Sequence, residues 1–306
     1  MDFDYDSLVT LSAVIREGSF DGASRQMGVT QSAVSQRIKQ LEDRVGTVLV
    51  IRGRPCVPTE TGMQLCQHIE QVSLLQRELS DRLATFQHAG GKTTAAVIRI
   101  ALNNDSLATW FPDVIKRAAE ELNLRFEVIP DDQEHTEQAL KSGEALAVAT
   151  TNAKPIHGCR RESLGSMEYV GVAEKTLFET GFEGKVTLER LGKVPCIFFD
   201  RKDTLLDQWL VASFGETVRM MPHMVPSYEG YLSCCVNGAG WGVLPASSAK
   251  PYLDSGKLIE LVPGKRIEVS LHWQSGTQAS EILRLLSELV TDEARKHLRT
   301  DAFRTD

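Results

Sequence analysis

No stretch of about 18 apolar residues occurs in these 306 residues, which excludes a membrane-spanning helix. The six cysteines form no C-x-x-C pair and no framework spacing, and Cys234 and Cys235 are adjacent. A disulfide scaffold is thereby excluded, and a reduced cytoplasm is the expected setting. The acidic start (Asp2, Asp4, Asp6) is unlike the basic opening of a secretion signal. Catalytic signatures are missing too: there is no G-x-S-x-G, no H-E-x-x-H, no EF-hand loop and no cysteine–histidine spacing that suggests a nucleophile. Gly91-Lys92-Thr93 looks like the end of a phosphate loop, but the glycine required five residues earlier is Phe86. Cys56, Cys66 and His68 are scattered structural residues on this reading. No enzyme, cofactor or metal site is expected.

Net positive charge is also lacking, at −7 overall. Resolved along the chain, however, Arg16 to Arg54 carries seven cations against four anions, a local +3. Local charge dominates within a Debye length, so one short module is suited to phosphates while the remainder is acidic.

That module contains the most informative stretch. Phe20, Ala23 and Met27 fall at helical spacing, Gly28-Val29 breaks the helix, and Thr30 is a good N-cap for a second one. In the second helix Ala33, Val34, Ile38 and Leu41 share an inward face. Gln31, Ser32, Ser35, Gln36 and Lys39 point outward, with Arg37 at the edge. With a first helix over residues 3–17 this makes a helix-turn-helix. Amides suit adenine, arginine suits guanine, and hydroxyls and lysine suit phosphates. Val48 to Arg52 and Cys56 to Pro58 read as a small wing that places Arg52 and Arg54 beside the backbone or minor groove of double-stranded DNA.

From Thr59 or Thr61 to about Gln87 a long helix follows, with Leu65, Ile69, Val72, Gln76, Leu79, Leu83 and Phe86 in a near-heptad seam. A lone helix cannot bury such a seam, so it is the expected dimer contact. His88 to Thr94 is linker-like in composition. Strand and helix patterns then alternate: strands over Val97–Leu102, Arg125–Ile129 and Ala145–Thr150, and helices over Leu107–Leu122 and Glu134–Lys141. A second set has strands over Tyr169–Ala173, Cys196–Phe199, Val218–His223 and Trp241–Leu244. Ile267–Trp273 and a closing helix over Ser280–Leu298 complete the chain. Such alternation predicts βαβ units, a parallel sheet and a ligand crevice at strand ends. Asn103-Asn104-Asp105-Ser106 follows a strand, so Asp105 or Ser106 can cap the next helix, or its amides and Ser106 can take a carboxylate. Asp131-Asp132, Asp200, Asp203 and Glu229 stand after other strands and suit a cation. The two features together suggest lysine or arginine. Gly238-Ala239-Gly240-Trp241-Gly242 is structural, and Trp273 belongs to the core on this reading.

The ordered run Glu17-Gly18-Ser19-Phe20, Ala23-Ser24, Thr30 to Ile38, Leu41-Glu42, Val45-Gly46, Leu49 and Arg52 resembles the N-terminal signature of LysR-type transcriptional regulators. Val50 departs from it where many members carry an aromatic residue. The resemblance implies an α+β multidomain chain. It comprises a winged helix-turn-helix (1–60), a dimerisation helix (61–88), a hinge (89–95) and a two-lobed α/β effector domain like periplasmic binding proteins (96–306). Lobe 1 would hold about 96–165 and 266–306, and lobe 2 about 166–265. Asn104 to Trp110, the Asp132/His135-Thr136 region, Asp203, Pro226 to Gly230 and Trp273 further resemble the lysine- and arginine-responsive ArgP/LysG subgroup. Asp132, Asp203 and Glu229 would then face the side-chain cation, Asn104 and Ser106 the carboxylate end, and Asp105 either the α-ammonium or the cap. Implied partners are an operator, RNA polymerase when activating, and further copies as dimers that pair into tetramers. The implied target is a basic-amino-acid exporter gene. The alternative is an effector-independent DNA-binding protein of replication-initiation-inhibitor type.

Overall fold

The computed structural model describes residues 4–86, 95–130, 139–140, 145–156, 158–276 and 280–300. At the N-terminus α1 (Tyr5–Arg16), α2 (Phe20–Met27) and α3 (Gln31–Val45) pack around Leu11, Val14, Ala23, Val34, Ile38 and Leu41. Each helix is capped by the residue its sequence supplies. Asp4, Ser19 and Thr30 accept from the amides of Ser7, Gly22 and Ala33. Gly28 and Gly46 end α2 and α3 in the left-handed conformation. Helix α3 therefore continues past Leu41, because its stop is Gly46. The wing is small: β1 (Val50–Ile51) pairs antiparallel with β2 (Val57–Pro58). Glu42 holds it to α3, accepting from the amides of Leu49 at 2.8 Å and Val50 at 3.3 Å.

Helix α4 (Glu60–Phe86) follows the wing. It approaches so closely that a Cβ on Gly62 would lie 2.1 Å from the Leu49 carbonyl oxygen. Its apolar seam divides, which corrects the expectation of one continuous dimer face. Leu65 and Ile69 are buried in the chain's own winged-module core and Val72 packs against it, whereas Leu75 and Leu79 are exposed. The helix is amphipathic, but its first turns already have a partner in α1. The side chains of Leu83 and Phe86 and the hinge over 89–94 lie outside the described residues. Arg99 links α4 to the rest of the chain, reaching Glu70 at 3.8 Å and Glu127 at 2.9 Å.

The C-terminal part is built on a seven-stranded sheet. Its path is β10 (Leu258–Glu260), β6 (Cys159–Glu174), β11 (Arg266–Gly276), β5 (Ala147–Thr150), β3 (Ala96–Leu102) and β4 (Leu124–Pro130), with β9 (Gly242–Pro245) also on β6. Strand β3 is parallel to β4 and β5, while β6 is antiparallel to β9, β10 and β11. The sheet is thus mixed rather than parallel. The two long strands β6 and β11 pair with each other from Cys159–Gly276 to Val170–Arg266, with a register shift between Leu271 and His272. A separate parallel pair, β7 (Cys196–Phe198) and β8 (Pro222–Met224), belongs to the second lobe.

Helices α5 (Asn104–Thr109) and α6 (Phe111–Glu121) replace the single helix expected over 107–122. Pro112 sits in the first turn of α6 and has no N–H to extend α5. Then come α7 (Lys175–Gly181), α8 (Leu188–Lys193), α9 (Leu205–Phe214), α10 (Tyr228–Val236), α11 (Ala246–Asp254) and α12 (Glu281–His297). One core joins Ile98, Phe111, Trp209, Trp241, Trp273 and Leu286 across both lobes. A Cβ on Gly171 of β6 would sit 2.4 Å from the Trp209 ring, so the second lobe requires glycine there. The helix expected over 134–141 falls almost wholly outside the described residues.

Candidate functional site

Two polar surfaces stand apart from the core. On α3, Gln31, Ser32, Gln36 and Lys39 are exposed, and Ser35 and Arg37 are half-buried. Thr30 is engaged as the cap, with its Oγ1 3.0 Å from the Ser32 hydroxyl. The exposed Arg52 guanidinium lies 4.9 Å from the Phe20 ring centroid, a cation–π contact that braces the wing against α2. Arg54 is exposed at the wing tip, in the turn between β1 and β2. Amides, hydroxyls and cations on the outward face of a capped helix are chemically matched to base edges and phosphates.

The second surface is a crevice cavity of about 310 Å³ at strand ends, between β3 of the first lobe and β7 and β9 of the second. This is a size that holds a small organic molecule. Asn104 and Asp105 enter it from the start of α5, and Asp203 from the loop after β7. Tyr169 comes from β6 and Tyr228 from the start of α10. The Tyr169 hydroxyl donates to Asp105 Oδ2 at 2.6 Å. Burial pushes the Asp105 carboxyl above the usual range, the Tyr169 bond works against this, and the Asp203 charge adds to it. Burial likewise raises Asp203, partly offset by the amides of Phe199 at 3.0 Å and Leu205 at 2.9 Å, with Asp200 and Asp207 raising it further. Among the described residues neither Asp105 nor Asp203 has an ion-pair partner. Two recessed acids flanked by phenols can hold a cation. They offer no nucleophile beside a base.

Other candidates are placed differently. Ser106 is fully buried, its hydroxyl has no partner among the described residues, and it does not line the cavity. Its amide is already taken by Asn103 Oδ1 at 3.0 Å, so Asn103 is the cap and not Asp105 or Ser106. Glu229 is exposed in the first turn of α10 and lies off the cavity, and Tyr228 occupies the inward position beside it. Asp132 and His135-Thr136 lie outside the described residues. Trp273 is core, giving its indole N–H to Ser287 Oγ at 2.9 Å. Tyr169, Tyr228 and Gln208 also line the cavity and were not among the candidate site residues, although Tyr228 lies within the Pro226–Gly230 stretch and next to a chosen acid. Cys66, pushed up to about 12 chiefly by burial, remains a thiol. The three-ligand cluster among the described residues is Asp113, Glu293 and His297. Its Glu293 already pairs with Arg117 and Lys296.

Comparison with known proteins matches residues 5–63 to the bacterial regulatory helix-turn-helix proteins of the lysR family, and residues 91–295 to the LysR substrate binding domain. The HTH-type transcriptional regulator ArgP of Pseudomonas fluorescens is 36% identical over 286 residues, 94% of this chain and 95% of the relative. The crystal structure of ArgP from Mycobacterium tuberculosis superposes with a TM-score of 0.82 at 33% identity, covering 98% of this chain and 100% of that one. Full-length LysG from Corynebacterium glutamicum with bound effector arginine gives a TM-score of 0.73 at 34% identity, covering 97% and 100%. These relatives are transcriptional regulators and not enzymes. With both of its modules matched and relatives above 30% identity along nearly its whole length, this chain belongs to the LysR family of DNA-binding transcriptional regulators.

Proposed function

We propose that this regulator senses a basic amino acid, arginine or lysine, in the crevice cavity and relays occupancy to a winged helix-turn-helix on DNA. The observation that carries the reading is the pair Asp105 and Asp203, two recessed carboxylates in one cavity with no ion-pair partner among the described residues. A guanidinium or ammonium supplies them a counter-charge, in a cavity that Lys202 also lines. The bound arginine in the LysG relative supports the same ligand class. Asn104 and Tyr228 contribute further polar contacts to the ligand, a role supported by their position in the cavity lining, which does not include Ser106 or Glu229.

On DNA, Gln31, Ser32, Gln36, Lys39 and Arg37 read or grip one half-site, and Arg52 and Arg54 flank it. Leu75 and Leu79, exposed on α4, form the contact with a second copy, and dimers pair into tetramers. The target is a basic-amino-acid exporter gene, transcribed with RNA polymerase when the ligand activates. The ligand acts by a population shift, limited by its differential affinity for the two arrangements on DNA.

Calorimetric titration of the full chain with arginine, lysine, citrulline and leucine tests the reading. Saturable binding of arginine or lysine, without citrulline or leucine, is expected. If neither basic amino acid binds, sensing is refuted and a DNA-binding protein indifferent to them remains.

A further inference from the structure

The two crevice acids are held by different devices. Asp203 accepts from two backbone amides, those of Phe199 and Leu205, which no side-chain change removes. Asp105 rests on one side chain. Among the described residues its carboxylate has a single hydrogen-bond donor, the Tyr169 hydroxyl, 2.6 Å from Oδ2. That length belongs to bonds from a hydroxyl to a charged oxygen, about 2.5–2.7 Å. A phenol has one proton to give, so Oδ2 must act as an acceptor and Oδ1 is left for a ligand.

Both partners are fixed from behind. Tyr169 lies within β6, opposite Ile267 of β11 on one side and Pro245 of β9 on the other, and is 3% exposed. Its ring belongs to the core that holds Trp209, Trp241 and Trp273. Asp105 stands in the first turn of α5, which Asn103 caps. The other charged or titratable groups lining the cavity are Asp200, Lys202 and Asp203 from the loop after β7, and Tyr228 and Tyr231 from α10. Tyr231 accepts from the Val243 amide at 3.1 Å, and Tyr228 is bonded to Ser248. Burial works against the charge on Asp105 and Asp203 adds to that effect, so the Tyr169 bond is the influence that opposes both.

We propose that Tyr169 is a positioning residue of the crevice: its phenol holds Asp105 as a charged, oriented acceptor and so governs the pH range over which a cationic ligand binds. The consequence for binding rests on the basic-amino-acid reading of the crevice, whereas the hydrogen bond acts in the empty protein as well. Without the hydroxyl, burial and Asp203 act on Asp105 unopposed, and its carboxyl stays protonated to higher pH. A protonated carboxyl offers no charge to a guanidinium, so binding must first expel that proton. Once the pH is high enough to ionise Asp105 unaided, the loss disappears.

The test is Tyr169→Phe, which keeps the ring in the core and removes one oxygen. Arginine is titrated calorimetrically into the full chain across a range of pH. On the acid side the affinity should fall about 10-fold below wild type, the value of one hydrogen bond to a charged acceptor, and the pH of half-loss should move up. At high pH the two proteins should bind alike. Tyr228→Phe removes a cavity phenol bonded to Ser248 instead and should leave the pH of half-loss in place. A loss of equal size at every pH in Tyr169→Phe would mark a merely structural role and overturns the inference. A second readout needs no ligand: the carboxyl carbon resonance of Asp105 in isotope-labelled protein, assigned with Asp105→Asn, should titrate at higher pH in Tyr169→Phe. An unmoved resonance overturns the positioning role. Absence of arginine binding to wild type, with the resonance moved, refutes the ligand reading alone and leaves the hold on Asp105 standing.

Discussion

The acids of the crevice and those of the α6–α12 surface are the same chemical group held in opposite states. Asp105 and Asp203 are raised, burial being the larger cause in each. On the surface, Arg117 donates to Asp292 at 2.6 Å and to Glu121 at 2.8 Å, and pairs with Glu293, which also takes Lys296 at 2.8 Å. Burial raises Glu293 too, yet the bonds from Lys296 and Arg117 outweigh it and its carboxyl falls below the ordinary range. Asp292, held chiefly by Arg117, falls likewise. Acids that already have cations serve the fold. Asp105 and Asp203, with no ion-pair partner among the described residues, are available to a ligand, and that distinguishes a site from a strut.

The largest effect should come from removing a crevice charge. Asp105→Asn keeps the shape and the Tyr169 contact but leaves a ligand cation unpaired, which costs about 2–5 kcal/mol of arginine binding. Calorimetry checks this, and operator binding by the uneffected winged module should survive. Wild-type arginine affinity in this variant would erase the proposed contrast between the two groups of acids.

Next in size is the pH dependence. Because Asp105 and Asp203 are raised in the empty cavity, a ligand cation lowers them and expels protons. Affinity should therefore fall as pH drops through the raised range and level off above it. Titration in two buffers of different ionisation heat measures the released protons directly.

Glu293→Gln should reduce the thermal midpoint by about 2–4 °C at neutral pH without altering ligand affinity. Since the folded carboxyl is depressed, its contribution is present above the unfolded value and lost as pH falls through the folded one. The melting difference from wild type should vanish over that interval.

The smallest effect concerns a charge kept in water. Lys39→Ala should weaken operator binding alike for all sequences and reduce the salt slope by about 1, read from binding isotherms at several salt concentrations. A sequence-dependent loss would mean that Lys39 reads a base.

The recognition helix was legible because everything that shapes it is local. Thr30 and Gly46 bound it, and its apolar positions recur at the helical period, so burial of Val34, Ile38 and Leu41 follows from the residues alone. The crevice was legible in part. Asp105 and Asp203, picked for their place after strands, line the cavity, whereas Ser106 turns inward and Tyr228 lines it beside the exposed Glu229. Adjacent helical residues point about 100° apart at 3.6 residues per turn, so a site on a helix is missed by one residue unless the packed face is known. The outer half of β6, Cys159–Glu168, went unseen because its charged and half-exposed residues hide a strand that is defined by pairing with β11.

The sequence by itself determined the module order, the capped recognition helix, the charge segregation and the family. Tertiary structure alone decided which partner each apolar or charged face meets. The seam of α4 has the period of a dimer helix, yet Leu65 and Ile69 are already enclosed by their own chain. Periodicity fixes which residues share a face, and only packing in three dimensions fixes what that face lies against.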